Sequence, residues 1–160
     1  MTPRDGSQIQ VVATNRRARH DYDILETLEC GLVLRGSEVK SLREARVNLA
    51  DSYARVKGDE LWMVGVHISP YTHQSDHVKL DPMRDRKLLA HRHEIDRLRA
   101  RVEQSGLTLV PLRIYFKDGK AKVEIAVARG RRKYDKRQAI AKRDAQREAE
   151  REVRRGRVDV

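Results

Sequence analysis

The sequence predicts an α+β fold, mainly β: a six-stranded antiparallel barrel with about three helices, followed by a basic C-terminal tail. Three observations carry this. Short segments that alternate apolar and polar residues recur through the first 130 positions, as half-buried strands require. One long amphipathic helix is inserted before the last pair of strands. That pair is joined by Asp118-Gly119, a strong short-range signal for a tight hairpin.

Taken in order, "IQVVAT" reads as a first strand, and Asn15 follows as a candidate N-cap for the short basic turn "RRARHD". Tyr22, Ile24, Leu28 and Cys30 share one parity through "YDILETLEC", the period of a half-buried strand; Gly31 interrupts it and "LVL" resumes it. Gly36 and Ser37 open a short helix with Val39 and Leu42 on one face. Strands follow at "SYARV" and "LWMVGVHI", separated by a turn at "KGDE" and ended by Pro70. In "RKLLAHRHEIDRLRARVEQSG", Leu88, His91, Ile95, Leu98 and Val102 step by three or four, and Gly106 stands at the left-handed position after the last turn. This helix begins near Asp85, or near His91 with Glu94 three residues on as an imperfect capping box.

Folding "LVPLRIYFKDGKAKVEIAVA" at Asp118-Gly119 sets Lys117 opposite Lys120, Phe116 opposite Ala121, Ile114 opposite Val123 and Leu112 opposite Ile125. The last three pairs form one apolar face. Tyr115 with Lys122 and Arg113 with Glu124 form the other, so one register buries apolar residues and also matches opposite charges. Pro111 suits an edge or a bulge. A small closed barrel of the oligonucleotide-binding type is the simplest architecture for these elements, although periodicity alone does not choose it over an open sheet.

The 160 residues include 35 Lys/Arg and 24 Asp/Glu, a formal charge of +11. Residues 129–160 hold 13 of the basic and 6 of the acidic side chains, so they contribute +7, against +4 from residues 1–128. A basic excess of this kind favours a polyanionic partner, because each phosphate neutralised by Lys or Arg releases condensed counterions. Nucleic acid is the first candidate. A membrane is disfavoured, since "MTPRDGSQIQ" lacks a signal-peptide core and no run of about 18 apolar residues occurs. A soluble cytoplasmic protein is expected, and the single Cys30, which excludes an internal disulfide, agrees with a reducing compartment.

Five strings occur in order: "NRRARHDY" at 15–22, "GSEVKSLR" at 36–43, "DSY" at 51–53, "DPMRDRKLL" at 81–89 and "VARGRRKYDKR" at 127–137. Together they resemble the small protein B family, the SsrA-binding proteins that partner transfer-messenger RNA (tmRNA) in bacteria. The resemblance runs from about Asn15 to Arg137 without large gaps. It implies a barrel similar to the OB-fold over residues 1–130, and a tail over residues 131–160 that is disordered when free and helical on the ribosome. It implies a function in trans-translation: binding the tRNA-like domain of tmRNA and delivering it to stalled ribosomes, so that incomplete peptides are tagged for degradation. The partners it implies are tmRNA, the 70S ribosome with its 16S ribosomal RNA, decoding centre and mRNA channel, and elongation factor Tu with alanyl-tmRNA. It further implies a monomer without cofactor, membrane association or enzymatic activity.

The individual residues admit plainer readings. Asn15 is a helix cap on local signal alone, yet its amide can also read a base edge or a ribose, and the turn it begins would set Arg16, Arg19 and His20 on one face. His20 could equally pack against Tyr22. Glu29 reads as a solvated residue on the outer face of a strand; where a carboxylate touches RNA it must meet a base amino group or a 2′-hydroxyl. Lys122 points outward beside Tyr115, a cation next to an aromatic face. Leu89 falls at helical spacing, where a leucine is ordinarily core. The resemblance implies that Asn15, Arg16, Arg19, His20, Glu29, Leu89 and Lys122 form the tmRNA-binding surface.

In the tail, Ala141, Ala145, Ala149 and Val153 recur every four residues, with Glu148, Glu152 and several arginines at helix-pairing distances. A stripe made mostly of alanine buries little surface, so such a helix is marginal in water and better when docked. A solvated charged extension is the plain alternative. The resemblance implies that this tail enters the empty message channel. Gly130 then gives the chain freedom, Arg131, Arg132, Lys133, Lys136 and Arg137, with Asp135 among them, run along ribosomal RNA phosphates, and Tyr134 offers a stacking face to a decoding-centre base. Beyond Arg137 the match is compositional only.

Metal and catalytic signals are weak. His67, His73, His77, His91 and His93 lack cysteine partners and match neither zinc-finger nor H-E-x-x-H spacing. No G-x-S-x-G and no P-loop occurs, and "SDHVKLDPMRD" interleaves its acids with Arg and Lys as a salt-bridged surface would. Two alternatives stand beside the main reading. A general single-strand RNA-binding protein would also bind unrelated RNAs, and an RNA-processing enzyme would need a divalent metal or a titrating histidine.

Overall fold

The computed structural model describes residues 8–71, 80–131 and 143–151. The chain divides into two units, Met1–Gly130 and Arg131–Val160. In the first, β1 (Ile9–Thr14), α1 (Ala18–Asp21), β2 (Tyr22–Leu32), α2 (Gly36–Arg43), β3 (Val47–Asn48), β4 (Tyr53–Lys57), β5 (Glu60–Val64), β6 (His67–Ile68), β7 (Arg86–Leu89), α3 (Arg92–Ser105), β8 (Thr108–Lys117) and β9 (Lys120–Gly130) follow in order. The strands β8-β4-β5-β7-β2-β9 pair in that sequence and β9 pairs back onto β8, closing a ring of antiparallel strands. The architecture is therefore the α+β barrel that the strand pattern predicts. β8 makes the closure. Its one edge lies along β9, and its other takes β1 at Arg113–Lys117 and β4 at Leu109, opposite Ala54.

The terminal hairpin keeps the predicted register from its turn as far as Arg113, with Ile114 opposite Val123, Tyr115 opposite Lys122 and Arg113 opposite Glu124. Asp118 and Gly119 take φ of 51° and 79°, the left-handed pair that a type I′ turn needs. The expected Leu112–Ile125 pair is not formed. A bulge falls between Pro111 and Arg113, so Pro111 stands opposite Ile125. Proline has no N–H for the ladder, and an extra residue is accommodated where the ladder is already interrupted. The bulge turns Leu112 to the outer face, where it packs with Ala18, Val110, Ala126 and Ala128. Ile114, Val123 and Ile125 stay in the main core with Leu61, Met63, Leu88 and Leu98. The sheet is thus apolar on both faces around β8 and β9, and α1 covers the outer one.

β2 keeps the expected parity only in its second half: Leu28, Cys30 and Leu32 turn into the main core, but a bulge between Ile24 and Glu26 shifts the alternation, so Tyr22 and Ile24 pack on the outer face with Ala18, Leu112 and Ala128. Burial, and then the nearby Glu94 and Glu29 carboxylates, push the Cys30 thiol up to about 12, so it packs as a small apolar side chain. "LWMVGVHI" is two strands and not one. Gly65 has φ of 81°, and a methyl there would lie 3.2 Å from the Asp51 carbonyl oxygen, so β5 stops at Val64 and His67–Ile68 pairs with β3 instead.

α3 starts at His91, the later of the two expected positions, where the Glu94 carboxylate accepts the His91 N–H at 3.0 Å. Leu88 and Leu89 therefore belong to strand β7, Leu88 inside and Leu89 outside. Ile95 and Leu98 carry the buried stripe, and Gly106, at φ of 61°, ends the helix with its N–H on the Val102 carbonyl at 3.1 Å.

Two of the five strings meet in one buried ion network. Glu38 of α2 accepts from Arg86 Nε at 2.8 Å, from the Arg35 N–H at 2.9 Å and from Arg84 Nη2. Arg86 is fully buried and also donates to the Val66 carbonyl and, at 2.9 Å, to that of Pro82. Arg84 thus reaches an interior carboxylate and not the surface pair that "SDHVKLDPMRD" suggests. Removing one partner of such a network costs about 3–5 kcal/mol, because the other charge is left buried and uncompensated. "DSY" is likewise structural: Asp51 takes φ of 61°, and the buried Ser52 hydroxyl donates to the Leu49 carbonyl at 2.6 Å.

In the second unit residues 143–151 are helical with exposed side chains, and Ala145 and Ala149 lie one turn apart in it. Ala141 and Val153 lie outside the described residues.

Candidate nucleic-acid interface

Strand pairing gathers the outer-face residues in rows. Leu89 of β7 stands opposite Gly31 of β2, Gly31 opposite Lys122 of β9, Lys122 opposite Tyr115 of β8, and Tyr115 opposite Val11 of β1. One row along, Glu29 stands opposite Glu124, Glu124 opposite Arg113, and Arg113 opposite Thr14. Residues two apart on a strand share a face, so Glu29, Leu89 and Lys122 lie on one surface although 93 positions separate the first from the last. Leu89 is 54% exposed, a large apolar side chain displayed to solvent. Gly31 makes room for it.

Like charges directly opposite each other weaken a sheet, so Glu29 against Glu124 needs compensation. Each carboxylate has its own partners. Arg113 reaches Glu124 at 3.4 Å and lies over the Tyr115 ring at 4.7 Å. Lys117 Nζ lies 3.5 Å from Glu29 Oε1, and the Tyr115 hydroxyl donates to Glu29 Oε2. Tyr115 itself is buried. The cation over its ring is therefore Arg113 and not Lys122, as the bare hairpin register would suggest.

Asn15 is not a helix cap. Its N–H donates to the Leu112 carbonyl at 2.7 Å and its Nδ2 to the Pro111 carbonyl at 3.0 Å, which pins the chain before α1 to the bulge of β8. The N-cap of α1 is Arg17, and the helix is a single turn. The expected face of Arg16, Arg19 and His20 is correspondingly not a helical stripe. Arg16 and Arg19 line a groove with Asn15, Leu112, Arg113 and Glu124, which joins them to the Glu29 row. His20 does not line this groove: it is exposed, its Nδ1 3.1 Å from Asp21 Oδ1, and is not packed on Tyr22.

Three residues of this surface escaped the sequence reading as functional candidates: Arg113, Tyr115 and Glu124. The hairpin register located them relative to each other. Only the pairing of β2 with β9, distant in sequence, brings Glu29 among them.

Gly130, expected to free the chain, is the last residue of β9 and pairs with Tyr22. Arg131 is exposed. Arg132, Lys133, Tyr134, Asp135, Lys136 and Arg137 lie outside the described residues. Among the described residues no three His, Cys, Asp or Glu side chains are grouped to hold a metal ion, and no helix is long and apolar enough to cross a membrane.

A family model described as SmpB protein matches residues 12–155. The chain is 56% identical over 150 residues to the SsrA-binding protein of Chloroflexus aurantiacus, covering 94% of each. It is 60% identical over 148 residues to that of Anaeromyxobacter dehalogenans, covering 92% of this chain and 90% of the relative. It is also similar, at a TM-score of 0.65 and 50% identity, to a chain of a solved structure described as tmRNA-SmpB on its journey to the center of the bacterial ribosome, covering 80% of this chain and 93% of that one.

Proposed function

The chain belongs to the SmpB family of SsrA-binding proteins, and we propose that it binds the tRNA-like domain of tmRNA and brings it to stalled ribosomes for trans-translation. The observation that supports this most directly is the gathering of Arg16 and Arg19, Glu29, Leu89 and Lys122, from four separate segments, on one connected surface. The chemistry suits a folded RNA. Arginines at the groove meet phosphates, Lys122 adds a cation, Leu89 offers an apolar contact to an unstacked base, and the Glu29 carboxylate accepts from a 2′-hydroxyl or a base amino group. Asn15 acts by holding the arginine-bearing turn against β8.

In this reading the protein is a binding factor and not an enzyme, and it works in the cytoplasm. It acts as a monomer, which the closed ring supports by leaving few strand edges to pair with a second copy. Alanyl-tmRNA reaches the ribosome together with elongation factor Tu. The basic segment at residues 131–137 and the helix beyond it occupy the empty mRNA channel near the decoding centre, with the arginines and lysines on ribosomal RNA phosphates.

The test is a gel-shift of the full chain against a transcript of the tRNA-like domain and against an unrelated structured RNA of the same length, across a salt series. Charge alone binds both RNAs and fades steeply with salt. Selective binding of the tRNA-like domain that persists at physiological salt is the expected result, and equal affinity for both at every salt concentration would overturn the reading.

A further inference from the structure

We infer that Tyr115 is a positioning residue for RNA recognition: its hydroxyl holds one oxygen of Glu29 and so presents the carboxylate to the RNA in a fixed orientation. The inference rests on the reading of Glu29 as an RNA contact. Tyr115 belongs by strand parity to the solvent face, in the row of Val11, Lys122 and Leu89, yet it is 1% exposed. The Arg113 guanidinium covers its ring at 4.7 Å, and its hydroxyl ends on Glu29 Oε2. A tyrosine so placed cannot stack on a base. What reaches the surface through it is an oriented hydrogen bond.

A glutamate on an open strand samples several rotamers and must surrender them on binding. Here Oε2 is fixed by the Tyr115 hydroxyl, and Lys117 lies 3.5 Å from Oε1. The Glu29 side chain is still 37% exposed, so the anchored carboxylate retains acceptor sites toward solvent. Burial pushes the Tyr115 phenol up from its ordinary value, and the bond to Glu29 pushes it further, so the hydroxyl remains a donor throughout the neutral range. An acceptor that is oriented before binding favours a 2′-hydroxyl or an exocyclic amino group at one place, and rejects a phosphate there. Tyr115 thereby contributes to the choice of RNA without touching it.

The alternative is that Tyr115 only fills space on the barrel, and a double-mutant cycle separates the two. The affinity of the full chain for the tRNA-like domain transcript is measured for the unsubstituted protein, Tyr115→Phe, Glu29→Ala and the double variant, with thermal melts alongside. Phenylalanine keeps the ring under Arg113 and removes only the donor. Positioning predicts that Tyr115→Phe weakens binding about fivefold, the effect of one modest hydrogen bond, and adds nothing once Glu29 is alanine. Equal losses in both backgrounds, or full-strength binding by Tyr115→Phe while Glu29→Ala binds weakly, would overturn the inference and leave the reading of Glu29 standing. Full-strength binding by Glu29→Ala overturns that reading, and the inference with it. A second measurement does not need the phenylalanine variant: by proton NMR of the free protein, the hydroxyl proton held between Tyr115 and Glu29 should show slow solvent exchange that Glu29→Ala abolishes, and unchanged exchange would count against positioning.

Discussion

Gly31 and Leu89 stand opposite each other across β2 and β7 at a separation that leaves little room for a side chain on the glycine: a methyl there would lie 3.2 Å from the Leu89 Cβ and 3.4 Å from its Cδ1. The glycine serves space and not backbone freedom, since its φ is not among the left-handed ones. Gly31→Ala should therefore keep the barrel and displace Leu89 by a few tenths of an ångström. Stability should fall by about 1 kcal/mol, because the tightest contact is with the Leu89 Cβ, which moves only with the β7 backbone. RNA affinity should fall several-fold. Thermal melts and gel-shifts on the same sample check this, and full-strength binding would remove Leu89 from the RNA contact.

Glu38 links stability to acid. Burial raises its carboxyl, but hydrogen bonds from Arg84, the Arg35 N–H and Arg86 outweigh burial and hold it below its ordinary value of 4.5. A depressed folded value means that the unfolded chain binds the proton first, so this contribution is present above about pH 4.5 and is lost as pH falls through the folded value. Glu38→Gln leaves Arg86 charged and buried, which should cost about 3 kcal/mol at neutral pH. It should also flatten the acid limb of the stability curve. Urea unfolding of both proteins between about pH 3 and pH 7 measures the two effects, and parallel curves would show that Glu38 does not carry the acid sensitivity.

Asn15 and Arg16 are neighbours with different work, and salt distinguishes them. Asn15→Ala removes the bond to Pro111, worth about 1 kcal/mol, and loosens the turn that bears the arginines. No phosphate contact is lost, so RNA binding should weaken with its salt dependence unchanged. Arg16→Ala should weaken binding and lower the salt slope by about one counterion. If Asn15→Ala also lowers the slope, its role is not that of an anchor.

What the sequence reveals follows how local each interaction is. The Asp118-Gly119 turn fixes the neighbouring pairs within ten residues, and Arg113–Glu124 and Tyr115–Lys122 are legible from it. Legibility ends at Pro111, because a bulge shifts parity without changing composition, and Leu112 changes face. The stripe from Leu88 to Val102 also misleads. Leu88 keeps helical spacing with Ile95, yet the helix begins only after His91, and what precedes it is a strand whose partners are β2 and β5. The candidate site was legible as a set of residues through resemblance, and Asn15 and Glu29 could not have been placed from periodicity. Their neighbours, Pro111 and Glu124, lie more than ninety positions away. The buried network of Glu38, Arg84 and Arg86 was hidden because charged residues read as surface until their partners are known.

The tail prediction separates binding from rescue. Residues 131–160 hold 12 Lys/Arg and 6 Asp/Glu, so cutting the chain after Gly130 removes +6 and leaves +5 on the barrel. Gly130 is the last paired residue of β9, so the cut leaves every strand and the Glu29, Lys122 and Leu89 surface in place. Binding to the tRNA-like domain should persist. The lost charge should weaken it several-fold at low salt, and the deficit should shrink as salt rises and long-range attraction is screened. Peptide tagging on stalled ribosomes should fail almost completely, because in the proposed reading the segment after Gly130 alone reaches the message channel. Tyr134→Ala should fall between, retaining tmRNA binding and slowing the first transfer step through the loss of one stacking contact, about 1–3 kcal/mol. A tagging assay run beside a gel-shift on the same truncated protein decides the matter. If both activities disappear together at every salt concentration, the tail belongs to the RNA-binding site and the division of labour is wrong; if tagging survives the cut, the tail does not read the channel.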